Sequence, residues 1–213
     1  MATDGLKNVH IVQGDLDSHE SLNAAAKKTA ELTGGAVDVL IVNGAYFALD
    51  VNFSNAGGFV GKEAVVDKEM TQIMHTNVTG TIFAFNAFMP LVLKSKIKKV
   101  IGISSGACIP DIILKCETEE GILYAASKAA MNVVVSKYAV QYKKDDVKFL
   151  SLSPGFVDTF TEKNCEFICV GSLPAYMSFK LTAVLLNSSE RPPGTTCRTA
   201  AAMGSDMQGP DSD

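Results

Sequence analysis

Basic residues are in short supply. Lys and Arg together number 19 against 23 Asp and Glu, leaving a net charge of −4. That balance gives no basis for a nucleic-acid partner, which would need a concentrated basic face. The short run Lys94, Lys96, Lys98, Lys99 reads as a solvated helix end. Cysteine is scarce in pattern as well as in number: five residues, an odd count, with no C-x-x-C pair. Neither a disulfide framework nor a zinc site is suggested. Cys165 and Cys169 stand four apart without histidine support and read as small apolar residues. His10, His19 and His75 lack metal-ligand spacing. A reducing, cytoplasmic setting is the expectation. Residues 1–7 lack the apolar core of a signal peptide. The one long apolar stretch, Phe167 to Leu186, is broken by Pro174 and Lys180, so no membrane span is expected. What is present is ordinary. The 213 residues are 47% apolar and 20% charged, fit for one soluble domain with a substantial core.

Alternating elements emerge along the chain. Val9 to Gln13 reads as a short strand ending in Gly14-Asp15. Ser18 looks like an N-cap, opening a helix to Leu32 that Gly34-Gly35 close. Val37 to Val42 is a continuous apolar run of strand length, as a parallel strand covered on both faces would show. A loop rich in Asn and Gly follows to about Gly61; its Gly57-Gly58-Phe59-Val60-Gly61 is read as ordinary loop glycine. A long helix then runs from about Asp67 to Lys94. Its apolar residues go nearly all round, which predicts burial or an interface. Lys99–Ser104 reads as a strand, Ile122 to about Tyr142 as a helix, and Val147–Leu152 as a strand stopped by Ser153-Pro154-Gly155. Such alternation predicts an α/β fold with a parallel sheet and right-handed crossovers. Residues 187–213 hold little to bury and are expected to be a disordered tail, leaving 1–186 as the folded part.

Tyr124-Ala-Ala-Ser-Lys128 carries the chemistry. A Tyr and a Lys four apart share one helix face. An ammonium that close favours the phenolate and would draw the tyrosine pKa down from about 10. Tyr124 is then a candidate proton donor to a carbonyl under reduction. Alone, each residue also has a plain structural role: Tyr124 as half-buried core, Lys128 as a solvated lysine, Ser104 and Ser105 as strand terminators, Asn77 as an interface polar residue, Asp15 as a turn former.

The order is what matters. Val42-Asn43-Gly44-Ala45, Asn77-Val78-Thr79-Gly80 and Ile103-Ser104-Ser105 precede the Tyr–Lys pair, and Pro154-Gly155-Phe156-Val157-Asp158-Thr159 follows it. This ordered set resembles the short-chain dehydrogenase/reductase family, especially its members in filamentous fungi. The resemblance implies a Rossmann-like sheet with helices on both faces and an NAD(P)-dependent carbonyl reductase or alcohol dehydrogenase, in secondary metabolism. It implies Ser105 holding the substrate carbonyl, Tyr124 as proton donor, and Lys128 lowering the tyrosine pKa and binding the nicotinamide ribose. By the same resemblance Asn77 would hold a relay water and Asn43 would steady the sheet near the cofactor. Pro154, Gly155 and Thr159 would lie beside the nicotinamide, and Asp15 would meet the adenine. The implied cofactor is NADP or NAD, with NADP somewhat favoured. The implied partners are a small carbonyl or alcohol substrate and a second copy of the chain, joined through the helices at 67–94 and 122–142.

The chain departs from the family in three places. Nineteen positions separate Ser105 from Tyr124, more than is usual, and the extra segment around residues 111–120 resembles a longer loop at the substrate mouth. The family's opening strand, its T-G-x-x-x-G-x-G turn and the second strand have no counterpart here. The fold is therefore expected to be incomplete, with Val9–Gln13 deprived of its neighbours, an apolar edge left on Val37–Val42, and much of the pyrophosphate grip missing. Beyond Asn164 the sequence no longer resembles the family. A non-catalytic subunit, or a product without function, is the alternative these departures raise.

Overall fold

The computed structural model describes residues 9–47 and 59–154. Within them the order is helix α1 (His19–Thr33), strand β1 (Val39–Val42), helix α2 (Glu63–Met74), a π-helical turn (His75–Thr79), helix α3 (Gly80–Val92), strand β2 (Lys99–Ile103), helix α4 (Pro110–Cys116), helix α5 (Ile122–Gln141) and strand β3 (Lys148–Leu152). The three strands form one parallel sheet in the order β1-β2-β3, with Leu40 opposite Val100 and Val100 opposite Phe149. This is the α/β architecture that the alternation of elements predicts.

Local signals set α1 well. The Ser18 hydroxyl accepts from the Ser21 N–H, and Gly34 closes the helix at φ 69°. A left-handed residue at that position suits glycine because it has no Cβ to clash. The long helix expected from Asp67 to Lys94 starts earlier, at Glu63, and is not uniform. It passes through a wider π turn at residues 75–79, around Asn77. A π turn follows from where side chains find partners across the fold, so no local pattern announces it.

Helices α1, α3 and α5 join one apolar cluster with the sheet, built on Leu22, Phe85, Phe88, Val135, Leu40, Val42 and Val100. The closeness of α5 to β2 shows at Gly102: a Cβ there would stand 3.1 Å from Val135 Cγ2. All three helices therefore lie on the face shown by Leu40, Val100 and Phe149. The opposite face carries Ile41 (42% exposed), Leu150 (51%) and Leu152 (38%). Val37–Val42 reads as a strand covered on both faces; among the described residues it is covered on one.

Two other expectations change. Val9–Gln13 is not a strand, since the described sheet offers it no partner and an isolated strand leaves its backbone groups unpaired. The segment expected to be a loop around residues 111–120 is partly helical: Pro110 opens the short α4, where its fixed φ and missing N–H cost nothing at a first helical position. The tail at 187–213 lies outside the described residues. No helix among them is long and apolar enough to cross a membrane.

Candidate functional site

In a parallel sheet all strands end at the same edge, and ligands of open α/β sheets gather there. Here Asn43 follows β1, Ser104 and Ser105 follow β2, and Pro154 lies two residues past β3. Ser104 N–H donates to Leu152 O at 2.7 Å, carrying the ladder one residue past β2. Asn43 and Pro154 are exposed. Gly155 and Thr159 lie outside the described residues.

Helix α5 brings Tyr124 and Lys128 to this edge. Gly121, left-handed at φ 73°, starts the helix three residues before Tyr124. Tyr124 is half-buried, and its ring meets Phe47 edge-on at 4.8 Å between centroids. One turn later Lys128 is only 2% exposed, so it is not a solvated lysine. Its Nζ donates to the carbonyl of Ile103, the last residue of β2, at 2.7 Å, and stands 5.5 Å from the Tyr124 ring centroid. The lysine thus ties the helix that carries Tyr124 to the end of the central strand.

The electrostatics differ from the expectation that Lys128 lowers the Tyr124 pKa. Burial raises the Tyr124 pKa above its ordinary value, with the Cys108 sulfur acting in the same direction. Burial also pushes Lys128 down to about 8, against a smaller upward influence of Cys108. Desolvation disfavours the charged form of each group, and it is the first cause of both shifts.

Asn77 is 1% exposed and sits in the π turn. Its Oδ1 accepts from Tyr46 N–H at 2.6 Å, while Nδ2 donates to Tyr46 O at 3.0 Å and to Ser127 Oγ at 2.9 Å. Ser127 in turn donates to Tyr124 O at 2.7 Å. Asn77 therefore clamps the loop after β1 to the helix that carries Tyr124 and Lys128. Ser105 is half-buried, and its Oγ accepts from Ala107 N–H at 3.2 Å, capping a short 3-10 turn at Gly106–Cys108. Asp15 is exposed, and its hydrogen bonds are local: Oδ1 accepts from Asp17 N–H and its carbonyl from Ser18 N–H. That is the turn-forming role.

Two residues at the site escape a reading of motifs. Cys108 is buried, donates through Sγ to Ser105 O at 2.9 Å, and accepts from Asn132 Nδ2 at 3.2 Å. The only sequence signal was Asn132 falling one turn past Lys128 on the same helix face.

These residues fit one half of a nicotinamide nucleotide. Tyr124 and Lys128 place two donors at the ligand edge of the sheet, suited to ribose hydroxyls and a reacting carbonyl. Among the described residues no glycine-rich turn precedes a helix N-terminus at that edge, so the pyrophosphate half finds no comparable cradle there.

Similarity to known proteins agrees with this geometry. Relatives include the short-chain dehydrogenase/reductase iacC of Pestalotiopsis fici, 46% identical over 155 residues, covering 72% of this chain and 57% of that protein. Another is the short-chain dehydrogenase/reductase atnB of Arthrinium sp, 40% identical over 155 residues, covering 73% and 58%. The chain thus spans little more than half the length of these curated relatives. Solved structures with the same fold include Pseudomonas aeruginosa RhlG with NADP, with a TM-score of 0.52, 22% identity, and coverage of 67% of this chain and 49% of that one. The NADPH-bound carbonyl reductase from chicken fatty liver gives a TM-score of 0.53, 21% identity, and coverage of 65% and 54%. NAD+-bound xylitol dehydrogenase gives 0.53, 17%, and coverage of 67% and 48%. At those identities the structures speak for the fold alone. The family model described as short chain dehydrogenase matches residues 2–166, and the chain belongs to that family.

Proposed function

We propose that the chain carries the catalytic centre of an NAD(P)-dependent carbonyl reductase or alcohol dehydrogenase. The observation that supports this most is Lys128, buried, anchored on Ile103 O and one helical turn from Tyr124. Burying a lysine to 2% exposure costs the fold desolvation energy that a hydrogen bond to one carbonyl offsets only in part, which favours a role beyond stability. The bound nucleotide would supply or accept the hydride. Tyr124, kept protonated by its buried setting, would give a proton to the oxygen of the reduced carbonyl. Ser105 would hold that oxygen, Lys128 would bind the nicotinamide ribose, and Asn77 would keep the proton path in register through Ser127. Asn43 and Pro154, with Gly155 and Thr159 beyond the described residues, would flank the cofactor, and Asp15 would meet its adenine end.

The nucleotide would be NADP or NAD, with NADP somewhat favoured; structures of the same fold hold either one. The substrate would be a small carbonyl or alcohol compound of fungal secondary metabolism, in keeping with the fungal relatives. A cytoplasmic location accords with the free thiols of buried Cys108 and exposed Cys116, which form no disulfide among the described residues. For pairing of two copies through the helices at 67–94 and 122–142, the support lies on the second of them, where Ile122, Val133 and Val140 are exposed apolar residues. Titration with NADPH and NADH, followed by turnover of a carbonyl panel with Tyr124→Phe as control, tests the reading. Micromolar binding and turnover lost in the variant support it; a folded chain that binds neither nucleotide sinks it.

One observation favours a second reading. The apolar sheet face of Ile41, Leu150 and Leu152 is open among the described residues. A non-catalytic subunit that uses such a surface against a full-length relative would co-purify with it while binding no nucleotide itself.

A further inference from the structure

Helix α5 presents three polar residues at successive turns of one face: Tyr124, Lys128 and Asn132. The last two both reach the segment that leaves β2. Lys128 Nζ donates to Ile103 O at 2.7 Å, ahead of Ser105. Asn132 Nδ2 donates to Cys108 Sγ at 3.2 Å, behind it. The Cys108 thiol passes the link on by donating to Ser105 O at 2.9 Å, and Cys108 N–H reaches the same carbonyl at 3.3 Å. Ser104 Oγ lies 3.6 Å from the same sulfur. Ser105 is thus held between two anchors that belong to one rigid helix.

We propose that Cys108 and Asn132 are a positioning pair that sets the distance between Ser105 and Tyr124. This rests on the reductase reading above. A sulfhydryl suits the place because it donates to the Ser105 carbonyl and accepts from Asn132 at once. Asn132 also leaves its Oδ1 buried without a hydrogen-bond partner among the described residues. A residue present for packing alone would be better apolar, because an unsatisfied buried acceptor carries a net cost. The hydrogen bond to Cys108 is what the amide provides in return. As a positioning pair, the two residues hold Ser105 from behind.

The test uses the full chain with Cys108→Ala, Cys108→Ser and Asn132→Leu. Amide hydrogen exchange at Cys108 and Ile109 should quicken by about tenfold or more in Cys108→Ala and Asn132→Leu, with α1 and β1 unchanged. Turnover of a carbonyl substrate should fall roughly tenfold with KM for NADPH unaltered, because misplacing a holding group costs rate rather than cofactor affinity. Cys108→Ser, which keeps a donor and an acceptor, should recover most of both. Wild-type exchange and kcat in Cys108→Ala would overturn the proposal, as would a serine variant no better than alanine. Should the wild-type chain bind nucleotide yet reduce nothing, the reductase reading fails, while the exchange measurement still decides whether the pair holds Ser105.

Discussion

Asn77 meets Tyr46 as a neighbouring strand would: its side-chain oxygen accepts from the Tyr46 N–H at 2.6 Å and its nitrogen donates to the Tyr46 carbonyl at 3.0 Å. The remaining amide hydrogen goes to Ser127. One buried side chain thereby joins three separate pieces: the loop after β1, the π turn and the helix of Tyr124. The π turn makes this possible, because the wider winding at residues 75–79 sets the side chain among these partners. Asn77→Ala should lower unfolding stability by about 2–4 kcal/mol, since it strands buried partners as well as deleting bonds. Denaturant unfolding checks this, and an effect within a few tenths would contradict the clamp.

Gly80 ends the same motif for a steric reason. A Cβ at Gly80 would fall 2.7 Å from Leu16 O and 2.9 Å from Leu16 Cβ. Alanine normally favours a helix over glycine by about 1 kcal/mol, but a backbone oxygen cannot step aside as a flexible side chain can. Gly80→Ala is expected to destabilise by roughly 1–3 kcal/mol. Gly106→Ala is the control, its nearest foreign atoms being 3.9 Å away. Thermal melts of the two variants should separate clearly.

Lys128 makes stability depend on pH in a particular direction. Its folded pKa, about 8, lies below the ordinary 10.5, with burial as the first cause. Below about 8 the group is protonated folded and unfolded, and the fold bears the full cost of the buried charge. Between about 8 and 10.5 the unfolded chain binds the extra proton, so stability rises with pH, by about 3 kcal/mol at most. Tyr124 acts oppositely above about 10, because its raised pKa keeps the folded form protonated after the unfolded form has ionised. Unfolding free energies between pH 7 and 10 should climb in the wild type. In Lys128→Met that climb should vanish; equal slopes would refute the assignment.

Tyr124→Phe should cut turnover by about 10²- to 10⁴-fold, the usual worth of a positioned proton donor. The ring contact with Phe47 survives the change, and a melt of the variant checks that the fold is kept. Because burial raises the Tyr124 pKa, the pH profile of kcat/KM for the wild type should show no loss from tyrosine ionisation below about pH 10. A limb near neutrality that disappears in the phenylalanine variant would show that cofactor or substrate reverses the local electrostatics.

How far motifs reach into this fold can be judged residue by residue. Ser18 and Gly34 mark the ends of α1 because caps are local: the first needs one hydroxyl near two N–H groups, the second a left-handed backbone. Tyr124 and Lys128 share a face because helical spacing alone requires it. Val9–Gln13 has the composition of a strand and is not one among the described residues, because a strand exists only with a partner to receive its hydrogen bonds. Cys108 gave no warning of a role at all.

Element order, the parallel α/β architecture, the helix caps and the Tyr–Lys face were determined by the sequence itself, through periodicity, chain reversal and side-chain length. Only the tertiary structure decided that Lys128 is buried against Ile103, that Asn77 grips Tyr46 from a π turn, and that desolvation raises Tyr124 instead of lowering it. These are contacts between residues 25 to 31 positions apart. Their energies depend on what excludes water around each group, and that is a property of the packed chain rather than of any stretch of it.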